Sequence, residues 1–180
     1  MELFPLAVLT LAQLNAADRA AFIATLGHLF EHSPWVAEET WPQRPFVSAE
    51  SFHAALCATM RAAPVARQLA LISAHPDLAG RLAQQKKLTA ESNREQASAG
   101  LDQLTDPELA EFTRLNDAYQ ARFGFPFIIC ARLNAKSAIL AAMLARLPNS
   151  PAAEHAAALA EIEKIAWLRL KDILGTTKSH

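Results

Sequence analysis

Three groups of residues could carry chemistry. His75 lies in the run Ala74-His75-Pro76-Asp77, and the proline drives the residue before it out of the helical region, so a helix must end at this corner. An imidazole at a helix end can face a cavity as a general acid or base, or sit beside a surface turn. The second group is Ser92-Asn93-Arg94-Glu95-Gln96. Ser92 and Glu95 have capping-box spacing, which explains them structurally, while Glu95 and Gln96 could equally present a carboxylate and an amide to a polar ligand. The third is Arg169. Ile162, Ile165, Arg169 and Ile173 are spaced three, four and four apart, which sets a guanidinium on an apolar helical stripe. Such an arginine either snorkels to solvent or holds a carboxylate or ligand, and replacement by an apolar residue of similar length, Arg169→Met, is expected to be tolerated by the fold. Arg132, four residues before Lys136, reads as structural.

Two further sets weigh less. His28 and His32 are four apart on an expected helix with Glu31 between them, but the order is not HExxH and no third ligand is evident. Trp35, Trp41, Phe46 and Phe52 read as core or interface aromatics.

The elements that must position these residues are helices. Alanine is abundant, there are only five glycines among 180 residues, and 52% of the chain is apolar. Asn15 can cap a helix carrying Phe22, Ile23, Leu26, Leu29 and Phe30. Ser33 before Pro34 reads as another cap, and Ser48 opens a segment with Phe52, Leu56 and Met60 on one stripe. Thr105 to Glu108 is a capping box whose helix Gly124 can end. Ser150-Pro151 starts the last and longest helix, running to about Gly175. Phe125 to Cys130 is a continuous apolar run after a glycine and containing a proline, so an extended piece is expected there. The expectation is an all-α protein: a single compact domain spanning 1–180, of about eight helices, with one extended segment near 125–131.

Composition excludes several classes. Seventeen Lys+Arg against 18 Asp+Glu leave a formal charge of −1, which gives no basic face for nucleic acid. No stretch reads as a membrane span, because the most apolar one carries Arg132, Lys136 and Arg146. Cys57 and Cys130 have no disulfide or zinc spacing and read as core thiols in a reducing compartment. No dinucleotide fingerprint, phosphate loop or ligand triad is present, so neither a metal nor a cofactor is expected. The N-terminus lacks a basic n-region, and a cytoplasmic location is expected. A helical protein-interaction module would also account for the helices and aromatics, but not for a polar set gathered on a His-Pro corner. A metal-dependent hydrolase would have to use His28, His32 and His75.

The residues taken in order resemble one family. Phe30 to Glu38, Arg44-Pro-Phe46, Ala74 to Gly80, Ser92 with Glu95-Gln96, Ala99-Gly-Leu101, Leu115-Asn116 with Tyr119, Phe123 to Ile128 and Ile165 to Leu170 together resemble the 2-oxo-4-hydroxy-4-carboxy-5-ureidoimidazoline (OHCU) decarboxylases over nearly the whole chain. These are the last enzymes of the route from urate to (S)-allantoin. The resemblance implies an all-α carboxy-lyase without metal or organic cofactor, acting on a small molecule. His75 matches the family's catalytic histidine, and the chemistry of such a decarboxylation would have Glu95 orient or recharge it or hold substrate N–H groups. Pro76, the segment Ser92, Asn93, Arg94, Glu95 and Gln96, and the segment Phe127, Ile128, Ile129, Cys130 and Ala131 match positions that line the substrate site. Arg169 matches a further site arginine. The family often carries a small or β-branched residue where this chain has Cys130 and Ala131. Its animal members end in a peroxisomal signal that Lys178-Ser-His180 does not match, so a bacterial-type cytoplasmic enzyme is expected, and oligomeric state stays open, a homodimer included.

Overall fold

The computed structural model describes residues 8–80 and 87–175. Nine α-helices and two short 3₁₀ turns form among these residues, with no strand. The helices are α1 Leu11–Ala16, α2 Arg19–Leu26, α3 Trp35–Thr40, α4 Ala49–Ala62, α5 Val65–Ser73, α6 Ala90–Ser98, α7 Asp106–Phe123, α8 Lys136–Arg146 and α9 Pro151–Ile173. The chain divides into two compact units, Met1–Leu71 with Glu163–His180, and Ile72–Ile162.

In the first unit, α3 packs on α2 and on α4. Phe22, Leu26, Val36, Phe52, Leu56 and Met60 are fully buried, and Phe46 stacks on Phe52 with ring centroids 4.3 Å apart. Asn15 is not the cap the sequence led us to expect. The chain breaks after Ala16, and Asp18 caps α2 by accepting from the Ala21 N–H at 2.8 Å. The Asn15 amide instead ties down a distant loop, donating to the Phe46 carbonyl at 2.8 Å and accepting from the Phe46 N–H at 2.9 Å. Ser33 is likewise not a cap, because α3 opens at Trp35 with Pro34 before it and no side-chain cap bond. Trp35 and Trp41 are half-buried, each under an arginine, Arg67 at 4.0 Å and Arg44 at 4.1 Å from the ring centroids.

The second unit is built on α7. Thr105 and Glu108 form its capping box, and Gly124 ends it in the left-handed region at φ 77°, a conformation that costs glycine nothing. Phe112, Leu115 and Tyr119 are its buried apolar positions, with Asn116 buried among them. After Gly124 the chain runs extended from Phe125 to Cys130, all buried, and closes in a single turn at Ala131–Leu133. Ser150 caps the start of α9 by accepting from the Ala153 N–H. No helix of the described residues is long and apolar enough to cross a membrane.

Candidate active site

Helix α5 ends at Ser73, and the His75 N–H reaches back to the Ile72 carbonyl at 3.1 Å, so His75 stands at the helix terminus as its proline requires. The side chain is buried. The ring has interactions with its surroundings, while Nε2 itself is buried and makes no hydrogen bond among the described residues. The turn that follows is tight. Ala79 is left-handed at φ 51°, and a Cβ on Gly80 would lie 2.5 Å from the Asp77 Cβ, which only glycine avoids.

Two amide side chains from other helices fix this turn. The Gln96 Oε1 accepts from the Ala79 N–H at 2.9 Å and its Nε2 donates to the Asp77 carbonyl at 3.4 Å. From α7, Asn116 Nδ2 donates to the Leu78 carbonyl at 2.9 Å, leaving its buried Oδ1 with no hydrogen-bond partner among the described residues. Gln96 was expected to meet a ligand, and its amide works on the backbone of the His75 corner. Asn116 entered the sequence reading only as part of a resemblance; a buried asparagine on the apolar stripe Phe112, Leu115, Tyr119 is the signal that could have singled it out.

Helix α6 carries the second group. Its cap is Thr89, whose hydroxyl accepts from the Ser92 N–H at 3.2 Å, so Ser92 lies inside the first turn and the capping-box reading of Ser92 and Glu95 falls. Thr89 three residues before Ser92 is an equally good cap by type, and sequence spacing could not choose between them. Ser92 and Gln96 are buried and Glu95 is half-buried. Arg94 is exposed and turned to Glu91 one turn away, apart from that face. Asn93 lines, with Gln96 and the apolar Leu101, Leu104 and Leu109, a cavity of about 720 Å³, a size that accepts a small molecule.

The extended segment packs against this second group, since α6 lies on the turn Ala131–Leu133 that ends it. Its electrostatics agree. Burial pushes the Cys130 thiol up to about 11, and the nearby carboxylates of Glu161 and Glu95 push it the same way, so Cys130 stays a neutral thiol and is no nucleophile. Burial likewise holds Cys57 up to about 12. Both cysteines are free. The Cys130 N–H donates to Glu161 at 2.8 Å, and the Ile128 carbonyl accepts from Arg146 at 2.8 Å. Glu154, Ala158, Glu161 and Ile165 repeat the four-three-four helical spacing, so the stripe logic applied to Arg169 would have flagged Glu154 and Glu161 as well.

Arg169 lies in the other unit, buried to 4% exposure, with Nη1 donating to Glu31 Oε2 at 3.0 Å and to the His28 carbonyl at 3.1 Å. The carboxylate alternative for its partner is thus met by a residue the sequence reading had passed over. Arg169→Met would take the guanidinium from the buried Glu31 carboxylate, which argues against the expected tolerance of that change. The helical pairing of His28 and His32 also fails, because α2 ends at Leu26 and His32 is exposed in the left-handed region at φ 47°. No group of three His, Cys, Asp or Glu residues among the described ones could hold a metal ion.

Comparison with known proteins converges on one family. The family model described as OHCU decarboxylase matches residues 15–171. A 2-oxo-4-hydroxy-4-carboxy-5-ureidoimidazoline decarboxylase of Amia calva is 42% identical over 93% of this chain and 96% of its own. Among solved structures, an (S)-allantoin synthase superposes with a TM-score of 0.70 at 32% identity, over 90% of this chain and 53% of that one, so this chain spans about half of that protein. An OHCU decarboxylase crystallised in the presence of (S)-allantoin shares the fold, with a TM-score of 0.67 at 22% identity, over 88% of this chain and 99% of that one. With its His-Pro corner, its α6 face and its extended segment all inside the matched region, the chain belongs to the OHCU decarboxylase family.

Proposed function

We propose that the protein converts OHCU to (S)-allantoin by acid–base catalysis without a cofactor, with His75 as the group that moves the proton. In this substrate the carboxylate and a hydroxyl share one ring carbon, next to a carbon of a C=N bond. Loss of CO₂ sends the bonding pair toward that neighbour and leaves an enol-like ring, with the former imine nitrogen taking a proton. The enol hydroxyl then gives up its proton as it becomes a carbonyl, and the ureido-bearing carbon takes one from a single face. That last step sets the stereochemistry and needs a positioned acid. His75 suits it: it is buried at a helix terminus, in a turn that Gln96 and Asn116 hold from two helices.

The observation that carries the reading is the joining of the His75 corner, α6 and the extended segment within one unit: the His75 turn tied to Gln96, and α6 packed on the end of the extended segment. Glu95 and Ser92 sit on α6 to orient the imidazole or hold substrate N–H groups, and the backbone of Phe127 to Ala131 supplies amide contacts. Arg169 as a substrate anchor rests on its match to the family's site arginine. Two free buried cysteines fit a reducing, cytoplasmic setting.

The test follows CO₂ release and the circular dichroism of allantoin formed from freshly made OHCU, against spontaneous decay. The wild-type protein should accelerate release and give one enantiomer. His75→Asn should lose about 10²- to 10⁴-fold of the rate while melting as the wild type does. A His75→Asn enzyme within about tenfold of wild type would remove His75 from the role.

A further inference from the structure

The extended segment between α7 and α8 is gripped from one side at two points. Arg146, the last residue of α8, donates from Nη1 to the Ile128 carbonyl at 2.8 Å and lays its guanidinium 4.3 Å from the Phe127 ring centroid. Its other edge is held by Glu154 of α9, at 2.8 Å from Nη2. Glu154 is fully buried and also accepts from the Tyr119 hydroxyl and from Asn149 Nδ2. Two turns further along α9, Glu161 Oε2 accepts from the Cys130 N–H at 2.8 Å. A spacing of seven sets Glu154 and Glu161 on nearly the same face of the helix.

Consecutive residues of an extended chain turn their N–H and C=O groups to alternate sides. The Ile128 carbonyl and the Cys130 N–H are both taken by this clamp, so the N–H and C=O of Ile129 face the other way. No hydrogen bond among the described residues uses either of them, although Ile129 is buried. Buried backbone polar groups are almost always paired, so this adjacent donor and acceptor are suited to the amide edge of a ligand.

We propose that Glu161 and the Arg146–Glu154 pair are positioning residues, which fix the register of Ile129 so that its N–H and C=O meet a neighbouring C=O and N–H of the ureidoimidazoline. The inference rests on the reading of Phe127 to Ala131 as substrate-binding. A clamp of this kind acts on binding more than on proton transfer, which separates it from His75.

Steady-state kinetics on OHCU and hydrogen exchange at the Cys130 amide test it together. Glu161→Leu removes the acceptor from a half-buried position and should raise KM about tenfold, the scale of one buried hydrogen bond, with kcat within about threefold. Glu161→Gln keeps an oxygen acceptor and should restore most of the wild-type KM. Arg146→Lys keeps a charge beside Glu154, so it should fold, and it should also raise KM by loosening Ile128. Exchange at Cys130 should speed up in Glu161→Leu and not in Glu161→Gln. An unchanged KM in Glu161→Leu, or a Gln variant as impaired as the Leu one, would overturn the proposal. If the wild-type protein fails to turn over OHCU, the functional reading falls by itself, and unchanged exchange at Cys130 in Glu161→Leu would still refute the clamp.

Discussion

Asn15 and Asn116 use the same device for different ends. In the first unit the Asn15 amide ties a loop by both of its edges, donating to and accepting from Phe46, and Arg44 closes the junction by donating to the Asn15 carbonyl at 2.9 Å. Polar capacity there is consumed. In the second unit Asn116 holds the Leu78 carbonyl by one edge and leaves its buried Oδ1 without a hydrogen-bond partner among the described residues, and the two backbone groups of Ile129 are likewise unused. A buried polar group left unmatched costs stability unless something else completes it. The contrast separates a junction that closes on itself from the region in which the substrate is proposed to bind.

The largest effect should come from a charge pair that looks replaceable in sequence. Arg169→Met is expected to cost about 3 to 5 kcal/mol of stability, because it takes the guanidinium away from the buried Glu31 carboxylate. The double change Glu31→Leu with Arg169→Met should recover much of that loss in chemical denaturation. If the single and double variants are equally unstable, packing rather than charge explains Arg169.

Next come the two amide ties. Asn15→Ala and Gln96→Ala should each cost about 1 to 3 kcal/mol, since each orphans buried backbone groups. Only Gln96→Ala should also lower kcat/KM per folded molecule, by about tenfold to hundredfold, the scale of a misplacement of about 1 Å at a reacting group. Equal activity in both variants would erase the distinction between the two regions.

Smaller again is the pair on α6. Thr89→Ala should lose about 0.5 to 2 kcal/mol in thermal melting with activity per folded molecule kept, as for any lost cap. Glu95→Gln should do the reverse, lowering activity and leaving melting near wild type. Had Glu95 been the capping residue, both variants would melt early.

The smallest signal is a slope in pH. Burial alone would raise the Glu154 carboxyl, but hydrogen bonds from Arg146, Tyr119 and Asn149 outweigh it and hold the group below the ordinary carboxylate range. A carboxyl lowered in the folded state contributes stability that is present above its unfolded pKa and lost as pH falls through the folded value. The melting gap between wild type and Glu154→Gln should therefore narrow on acidification below the ordinary carboxylate range. A gap that stays constant would show that the network does not titrate with folding.

Local rules carried the reading of the elements a long way. Helical preference, the Thr105 capping box, the Gly124 stop, the Ser150-Pro151 start and the extended run after Phe125 depend on neighbours within a few residues, so they were legible before any fold was known. The resemblance to one family was legible too, because the order of short motifs is itself sequence information. What local rules could not decide was which of two good candidates a backbone group would choose. Thr89 rather than Ser92 caps α6, and Asp18 rather than Asn15 caps α2, where the Asn15 amide is held by the distant Phe46 backbone. Partners far apart in sequence were equally hidden: Glu31 with Arg169, Asn116 with Leu78, and Glu161 with Cys130 lie 138, 38 and 31 residues apart. A helical stripe reports that a charge is buried, since period and polarity are local. Only the packed chain determines what neutralises it, because that depends on which distant surface the stripe meets.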